Sequence, residues 1–422
     1  MALYQLGRTF SPGVADSIQL YFTDRRRDNY VSFTGDVESQ REKIKGGKNT
    51  LHYRLGRGTN LNLTTFLEFK NVDLLHSGES LVERRRKRND QRLSNDLGLE
   101  RQKNRWVSQF ALSHVLLDQR YDLNVTNADR PFSSRTAFIT PDNSSSRLMM
   151  TSLIRGPVTR HDSLSAYFSI TKFRYDTPDT TNFDDRDELR VNSRLVYAHR
   201  FSSELTVEWL AALNLYHMVY IFGERSADNN WNRILLLRPL ITFRPAEWFQ
   251  LNQSFEVLAN YVDYDFEQSF VSARSFVFRK FALNDSLRLQ IMPRSTLLFD
   301  YQLQLEENGQ FNWDEWSERI VGTRSKQWLH TYWQYAVGNR TRISAGFAVY
   351  KRDEWKYTSS ALGSILKEAT GDYISYGPVF NFYYQSAGNL RIHFDSTRYK
   401  VETTGQRTYY VNTIELGLKW FF

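Results

Sequence analysis

The sequence predicts an all-β fold, a transmembrane antiparallel up-and-down β-barrel of about 18 strands, with a range of about 16 to 20. Three observations predict it. Apolar and polar residues alternate along most of the chain. Tight turns and long polar connections follow one another in regular order. Aromatic residues make up 15% of the chain although its mean hydropathy is polar, at −0.55, as expected where only every second strand residue is apolar.

The composition excludes several classes of functional site. The chain of 422 residues has no cysteine, which excludes disulfides, thiolate metal sites and cysteine nucleophiles. Its 55 Lys and Arg against 47 Asp and Glu give a net charge of +8, which suits anionic lipid head groups as well as nucleic acid. We expect no nucleic-acid partner, because the basic residues are scattered singly except at residues 25–27 and 84–88, and such runs usually mark solvated loops.

No segment has the length and apolar character of a membrane-spanning helix. The longest stretch without a charge, residues 373–390, is interrupted by Gly377 and Pro378 and by Asn and Gln residues. The first 17 residues lack the apolar core of a signal peptide. We therefore expect residues 1–28 to be an N-terminal extension or the remnant of a longer N-terminal region, and residues 29–422 to form the barrel.

The last segment shows the strand period most clearly. From residue 414 to residue 420, apolar side chains occupy every second position, while Glu415 and Lys419 occupy the positions between them. A period of two with this contrast predicts a strand with one apolar and one polar face. The same alternation recurs in segments that mostly run for about 9 to 16 residues, at 61–69, 205–215, 281–291, 297–306, 343–349 and 374–384.

The connections between these segments are of two kinds, and their alternation predicts a sheet with minimal turns on one side and elaborated loops on the other. Tight turns are predicted at residues 56–59, 102–104, 156–162, 200–203, 244–247, 292–295, 338–340 and 387–389. Longer polar loops are predicted at residues 72–92, 119–145, 176–186, 221–230, 306–323 and 351–372, with a shorter one at 264–269.

The strand number follows from these turns. Eight tight turns supply about sixteen strands, a final strand from Arg407 adds one, and residues 30–38 supply a first one. Residues 17–23 also resemble a strand, which leaves the range open. In water, so large an antiparallel sheet with one apolar face would expose that face and two edges. Closing the sheet into a barrel within lipid pairs every backbone group and turns the apolar face to hydrocarbon.

The predicted strand ends carry aromatic residues, as at Tyr410 and Trp420 or at Trp248 and Tyr261, which is typical of interfacial girdles. The ending of the chain resembles the terminal strand of Gram-negative outer-membrane β-barrels. This resemblance implies location in the cell outer membrane, contact with its lipid, and recognition of the last strand by the barrel-assembly machinery. The residues that carry the resemblance and would form the assembly signal are Ile414, Leu416, Leu418, Trp420 and Phe422.

Charged residues that alternate with the lipid-facing ones are predicted to line the lumen. Mixed charges in a lumen form either a hydrated channel wall or ion pairs that cross-link a filled one. The predicted pore-lining residues are Arg190, Arg194, Glu204, Glu208, Glu256, Arg288, Asp300, Arg342, Glu415 and Lys419.

The predicted loop at residues 306–323 combines carboxylates with aromatic rings. Such a loop suits a constriction or a sugar-binding surface, and also an ordinary solvated outer loop. Its candidate ligand contacts are Trp313, Asp314, Glu315 and Trp316. The basic segments 41–48 and 84–92 are predicted to be loops on the same outer side, where the phosphates of lipopolysaccharide are available.

No catalytic constellation is apparent. His114, His217, His330 and His393 lie on predicted strands without a partner fixed by spacing, and no phosphate-binding glycine loop, metal-ligand cluster or nucleophile elbow occurs. We therefore expect no enzyme, no cofactor and no metal.

The function that fits these expectations is a polar-lined pore or transporter for solutes. One alternative is a membrane-anchoring, assembly or secretion barrel at the C-terminal end of a larger cell-surface protein. Another is the barrel portion of a plugged, energised receptor. The sequence does not decide the oligomeric state.

Overall fold

The computed structural model describes residues 2–31, 36–77, 83–126, 142–179, 182–266, 274–312, 317–359, 365–386, 390–403 and 407–420. These residues form nineteen strands and one short 3₁₀ helix, Gly223–Asp228. All nineteen strands belong to one antiparallel sheet in which consecutive strands pair. The prediction of an all-β up-and-down fold of the transmembrane barrel class is confirmed, and the strand number lies within the predicted range.

The strand bounds are as follows. The first seven are β1 Ala2–Ser11, β2 Val14–Val31, β3 Asp36–Gly56, β4 Thr59–Ser77, β5 Glu83–Lys103, β6 Trp106–Thr126 and β7 Asn143–Pro157. The next five are β8 Asp162–Asp176, β9 Arg186–Arg200, β10 Leu205–Tyr220, β11 Asn230–Ala246 and β12 Phe249–Tyr264. The last seven are β13 Phe276–Met292, β14 Ser295–Asn312, β15 Ser317–Val337, β16 Thr341–Ser359, β17 Ile365–Gln385, β18 Leu390–Thr403 and β19 Tyr409–Trp420.

The chain divides into two compact units. Unit 1 comprises Met1–Gly156, Ala166–Ser193 and Leu215–Trp231, and it contains β1 to β6. Unit 2 comprises Pro157–Ser165, Arg194–Asn214 and Asn232–Phe422, and it contains β12 to β19. In the described residues of both units, no helix has the length and apolar composition needed to cross a membrane.

Burial in this protein is the inverse of that in a soluble one. Large apolar side chains on alternate strand positions are exposed, as in the row of Ile414, Leu416 and Leu418, whose exposed fractions are 71%, 70% and 63%. Several of the most buried side chains are polar or charged instead, among them Glu188 and Glu306. Rows of exposed apolar residues on this scale require a nonaqueous neighbour. Hydrocarbon on the apolar face provides this neighbour, and pairing between consecutive strands removes most backbone groups from contact with it.

The described tight turns lie close to where the sequence predicts them, and the turn predicted at 387–389 lies outside the described residues. β5 and β6 are joined by Asn104 and Arg105, both in the left-handed region at φ 50° and 68°, as a two-residue turn between twisted strands requires. The β15–β16 turn has Gly338 at φ 74°. Other turns close by backbone hydrogen bonds, such as Phe201 N–H to Leu205 O at 3.0 Å. These turns fix the register of the strands that they join.

The loops predicted at 176–186 and 221–230 agree with the strand bounds, but four others are wrong in extent, because the strands continue into them. Both β14 and β15 enter the segment 306–323, leaving residues 313–316 between them, and the segments 72–92, 119–145 and 351–372 likewise begin and end as strand. The basic segments 41–48 and 84–92 lie within β3 and β5 rather than in loops. Residues 2–31, most of which were predicted to precede the barrel, form β1 and β2.

The physical reason is that side chains alternate between apolar and polar only in the part of a strand that crosses the membrane. About 9 to 11 residues suffice to cross the hydrocarbon, whereas β3, β5, β6, β15 and β17 each have 21 residues. At about 3.3 Å per residue, such a strand is about 70 Å long. Beyond the lipid both faces meet water, so backbone pairing continues without an apolar face to mark it.

Candidate functional site

The polar face of unit 2 carries the candidate functional site. It is formed by the even-numbered residues of β12 to β16 and the odd-numbered residues of β17, opposite the apolar rows. Register places its side chains in straight rows that cross six strands. Four consecutive rows, counted from the tight-turn side toward the loop side, carry different chemistry.

The two rows nearer the turns are uncharged except for one carboxylate, and they contain two aromatic residues. The first row, here called the small row, consists of Asn252, Ser286, Asp300, His330, Ala348 and Gly377. The second, here called the aromatic row, consists of Ser254, Asn284, Gln302, Trp328, Tyr350 and Ser375. A recess of about 460 Å³ lies on these two rows, and its lining includes Asn252, Asn284, Asp300, Gln302, Trp328 and His330.

The two rows nearer the loops are charged. One consists of Glu256, Ala282, Gln304, Lys326, Arg352 and Tyr373, and the other of Leu258, Lys280, Glu306, Arg324, Glu354 and Gly371. In the second of these rows the charges alternate in sign from Lys280 to Glu354, and ion pairs link neighbouring strands. We call these two rows together the charged band.

Glu306 is the most buried charge of the charged band. Its side chain is 7% exposed, and its carboxylate lies 2.9 Å from Lys326 Nζ and 3.4 Å from Arg324 Nη1. Arg324 Nε also lies 2.6 Å from the Glu354 carboxylate, and on the neighbouring strands Lys280 Nζ lies 2.6 Å from Glu256. The two cationic partners, Lys326 and Arg324, offset the cost of withdrawing the Glu306 carboxylate from water.

The polar face of unit 1 also carries polar and charged contacts between strands. Tyr21 on β2 donates a hydrogen bond of 2.7 Å to Glu68 on β4, and the Arg92 guanidinium lies 5.5 Å from the centre of the Phe66 ring. Lys70 and Glu42 form an ion pair between β4 and β3. Polar side chains thus join strands on this face in both units.

A second cluster in unit 1 lies at the loop side of β9 and β10. Glu188, 7% exposed, is held between Arg186 at 2.9 Å and Arg190 at 2.8 Å, and Arg190 lies over the ring of Tyr216. The neighbouring 3₁₀ helix Gly223–Asp228 is attached to the segment before β9 by an ion pair between Arg225 and Asp184. The connection between β10 and β11 is therefore an ordered surface element.

On the tight-turn side of unit 2, a carboxylate organises the turn before β8. Asp162 accepts hydrogen bonds from the Thr159 hydroxyl and, at 2.6 Å, from the Tyr197 hydroxyl, and its carboxylate lies 2.5 Å from His199 Nδ1. These donors, that of Thr159 first, hold the pKa of the Asp162 carboxyl well below its usual range.

The predicted pore-lining residues are dispersed and do not form a single site. Glu256, Arg288, Asp300 and Arg342 lie on the polar face of unit 2, as their parity predicts. Glu204 lies in the turn before β10 and not on a strand. The others lie on β9, β10 and β19, and these are Arg190, Arg194, Glu208, Glu415 and Lys419.

Of the charged band, sequence reasoning names only Glu256 as a site residue, and it names none of the aromatic row. Glu306 ends one predicted strand and begins the predicted loop at 306–323, because Glu306 and Glu307 place charge on both faces and end the alternation. Trp328 and Tyr350 lie on the polar face, where a period-two reading expects hydrophilic residues. The signal that was available is parity: Trp328 shares it with Lys326 and His330, while Leu329 and Trp333 share the other.

Most of the predicted assembly signal lies in the described part of the chain, whereas the candidate loop contacts do not. Ile414, Leu416 and Leu418 lie on β19 and form an exposed apolar row, while Trp420 ends that strand. Phe422 and the candidate loop contacts Trp313, Asp314, Glu315 and Trp316 lie outside the described residues. Within the described part of the chain, no group of three or more His, Asp or Glu is placed to hold a metal ion.

Comparison with known proteins finds similarity only at the level of structure. No protein-family model matches the chain, and no curated protein sequence matches it. The alcaligin outer-membrane receptor FauA of Bordetella pertussis is 10% identical with a TM-score of 0.45, over 99% of this chain and 74% of the receptor. The ferric citrate transporter FecA is 9% identical with a TM-score of 0.48, over 98% and 69%. The ferripyoverdine receptor of Pseudomonas aeruginosa is 9% identical with a TM-score of 0.42, over 98% and 70%.

Likenesses of this size do not specify a ligand or a mechanism. The assignment rests on the chain itself: long antiparallel strands, an exposed apolar face and a polar face laced with ion pairs. The chain is an integral β-barrel protein of the Gram-negative cell outer membrane.

Proposed function

We propose that this protein is an outer-membrane transporter and that the polar face of its strands lines the path of a hydrated solute. The observation that carries the proposal is the set of four rows on β12 to β17. They place paired charges, amides, hydroxyls and two rings on one continuous wall, opposite the lipid-facing residues.

Exposure on this wall supports a path and not a filled interior. Arg288, Asp300 and Arg342 are exposed although they lie on the polar face. A barrel whose lumen served only as a packed anchor would bury these groups among partners, because an unpaired charge in a closed interior is costly. Exposed groups of mixed sign are what a hydrated channel wall requires.

Conductance of the refolded protein in planar lipid bilayers tests the proposal. We expect stable unitary steps in symmetric salt, and a reversal potential in a salt gradient that reports the wall charge. Asp300→Asn and Arg342→Gln should move that potential in opposite directions, because one removes a negative and the other a positive wall charge. Glu307→Gln, on the opposite face of β14, is the matched control. A folded barrel that stays silent would contradict an open path.

A second candidate is the barrel portion of a receptor that binds its solute on the outer side. The strand lengths favour it, because a strand of 21 residues extends about 35 Å beyond the 9 to 11 residues needed to cross the hydrocarbon. Silent bilayers together with saturable solute binding to whole cells would favour this receptor, whereas unitary steps favour the open path.

We also propose that β19 is the strand recognised by the barrel-assembly machinery and that lipopolysaccharide contacts the loop side. The exposed row of Ile414, Leu416 and Leu418 supports the first part. The basic residues 41–48, on the part of β3 away from its tight turn, support the second. Replacing Leu416 and Leu418 by Ser should reduce the amount of heat-modifiable protein in outer membranes, whereas the same change at polar-face Thr413 should not.

A further inference from the structure

Trp328 is the most unusual residue on the polar face of unit 2. It lies on β15 directly opposite Gln302 and Tyr350, with polar or charged neighbours on its own face, yet 42% of it is exposed. Large rings on the other face of the same strand, such as Trp333 with an exposed fraction of 53%, meet the lipid side. Trp328 has no lipid to meet, so its exposed surface is available to a solute.

A neighbouring ring holds Trp328 in place from one side. The ring centroids of Trp328 and Tyr350 lie 4.8 Å apart with the planes inclined at 41°, and Tyr350 in turn contacts Tyr373 at 5.6 Å. This contact fixes Trp328 from the β16 side. On the β14 side it borders Gln302 and the recess.

The recess beside Trp328 is rich in groups that bind hydroxyls. Asn284, Gln302 and Asn252 offer amide donors and acceptors, Asp300 offers a carboxylate, and His330 offers a ring nitrogen. The recess has a volume of about 460 Å³, which is enough for one or two sugar rings.

This combination selects one class of solute. An apolar molecule would leave the amides and the carboxylate without partners, which is costly for buried polar groups. A monatomic ion would engage Asp300 but would leave the exposed ring of Trp328 unused. A pyranose has an apolar face of C–H groups that stacks on an indole, and a rim of hydroxyls that donate to and accept from amides and carboxylates.

We propose that the aromatic row and the small row form a saccharide-binding subsite, with Trp328 as the stacking platform and Asp300, Gln302 and Asn284 as hydroxyl-binding groups. The inference rests on the proposed function, since it names the class of solute that would travel along this wall. Saccharide binding itself can be measured whether or not the barrel conducts.

Isothermal titration calorimetry on the refolded protein in detergent micelles tests it, with maltohexaose and cellohexaose as the probes. We expect saturable binding of at least one of them by the unsubstituted protein. Trp328→Ala should weaken that binding by about tenfold or more, because the loss of a stacked ring is worth about one to two kcal/mol. Trp333→Ala, on the same strand but the opposite face, should bind as the unsubstituted protein does.

Two further variants keep the test informative if Trp328→Ala does not fold. Trp328→Phe retains a ring and should bind with intermediate affinity, and Gln302→Ala should weaken binding without touching the ring. The subsite is ruled out if neither hexasaccharide binds, or if Trp328→Phe and Gln302→Ala bind as tightly as the unsubstituted protein. Binding in a barrel without conductance would count against the open path alone, and conductance without binding would count against the subsite alone.

Discussion

The carboxylate of Glu306 on β14 lies 2.9 Å from Lys326 Nζ on β15, and the Glu306 side chain is 7% exposed. This pair lies in the charged band, near the level at which the apolar alternation of β14 ends. It therefore joins two strands where hydrocarbon no longer contributes to keeping the sheet in place. A buried carboxylate there contributes stability only as long as its cationic partners remain.

Glu306→Gln should destabilise the protein. The substitution keeps the size of the side chain but leaves Lys326 and Arg324 beside a neutral group, and we expect a loss of about 1 to 3 kcal/mol in the free energy of unfolding, because both partners are partly exposed. Urea unfolding in lipid vesicles measures it. Glu307→Gln, the neighbouring residue on the opposite face, is the matched control and should change the free energy of unfolding by less than about 0.5 kcal/mol. Equal losses in the two variants would contradict the argument.

Two stretches of strand show how much of the fold could be predicted from the sequence. The period of two at Ile414 to Leu418 identifies a strand and its exposed face, because lipid on one side and polar groups on the other impose the pattern. Glu306 to Asn312 is strand as well, but its side chains no longer alternate between apolar and polar, and the sequence predicts a loop. Beyond the membrane, backbone hydrogen bonds define the strand, and they do not impose a period of two on the sequence.

The site was less predictable than the fold, because it depends on register. Parity alone assigns Asp300, Arg288 and Glu256 to the polar face. That Trp328 lies opposite Gln302 and Tyr350 depends on the turns at both ends of β15, and a shift of one residue would move Trp328 to the lipid face. Sequence reasoning located charges and expected exposed aromatic residues at the membrane interfaces, so an aromatic row on the polar face was outside its reach.

Gly346→Ala should destabilise unit 2. A Cβ at Gly346 on β16 would overlap the carbonyl oxygen of Thr331 and lie 2.8 Å from Cδ1 of Tyr332 on the neighbouring strand. The sheet must shift to admit it, at a cost of about 1 to 3 kcal/mol. Gly371→Ala on β17 is the matched control, because a Cβ there meets nothing within 4 Å. The midpoint of thermal unfolding, read from the loss of heat-modifiable gel migration, should fall for the first variant only.

Leu416→Arg should impair insertion into lipid. Leu416 is 70% exposed on the apolar row of β19, and an arginine on the lipid face costs about 2 to 4 kcal/mol at the bilayer midplane and less toward the interface. We expect a lower yield of folded protein when the urea-unfolded chain is diluted into vesicles. Thr413→Arg, on the polar face of the same strand, should fold with an unchanged yield. If both variants fold equally well, the apolar row does not face hydrocarbon.

The turn before β8 should lose stability in acid. Hydrogen bonds to Asp162 from Thr159, Tyr197 and His199 hold the pKa of its carboxyl well below the usual value. A carboxyl whose pKa is lower in the folded than in the unfolded state contributes stability that is fully present above the unfolded value, about 4, and is lost as the pH falls through the folded value. Asp162→Asn should therefore be less stable than the unsubstituted protein at pH 6, and the difference should shrink as the pH is lowered below about 4. Hydrogen exchange of the Asp162 and Val158 amides against pH measures this, with Glu247→Gln in another turn as the control. A difference that is the same at pH 6 and at pH 3 would show that the three hydrogen bonds do not depend on the charge of Asp162.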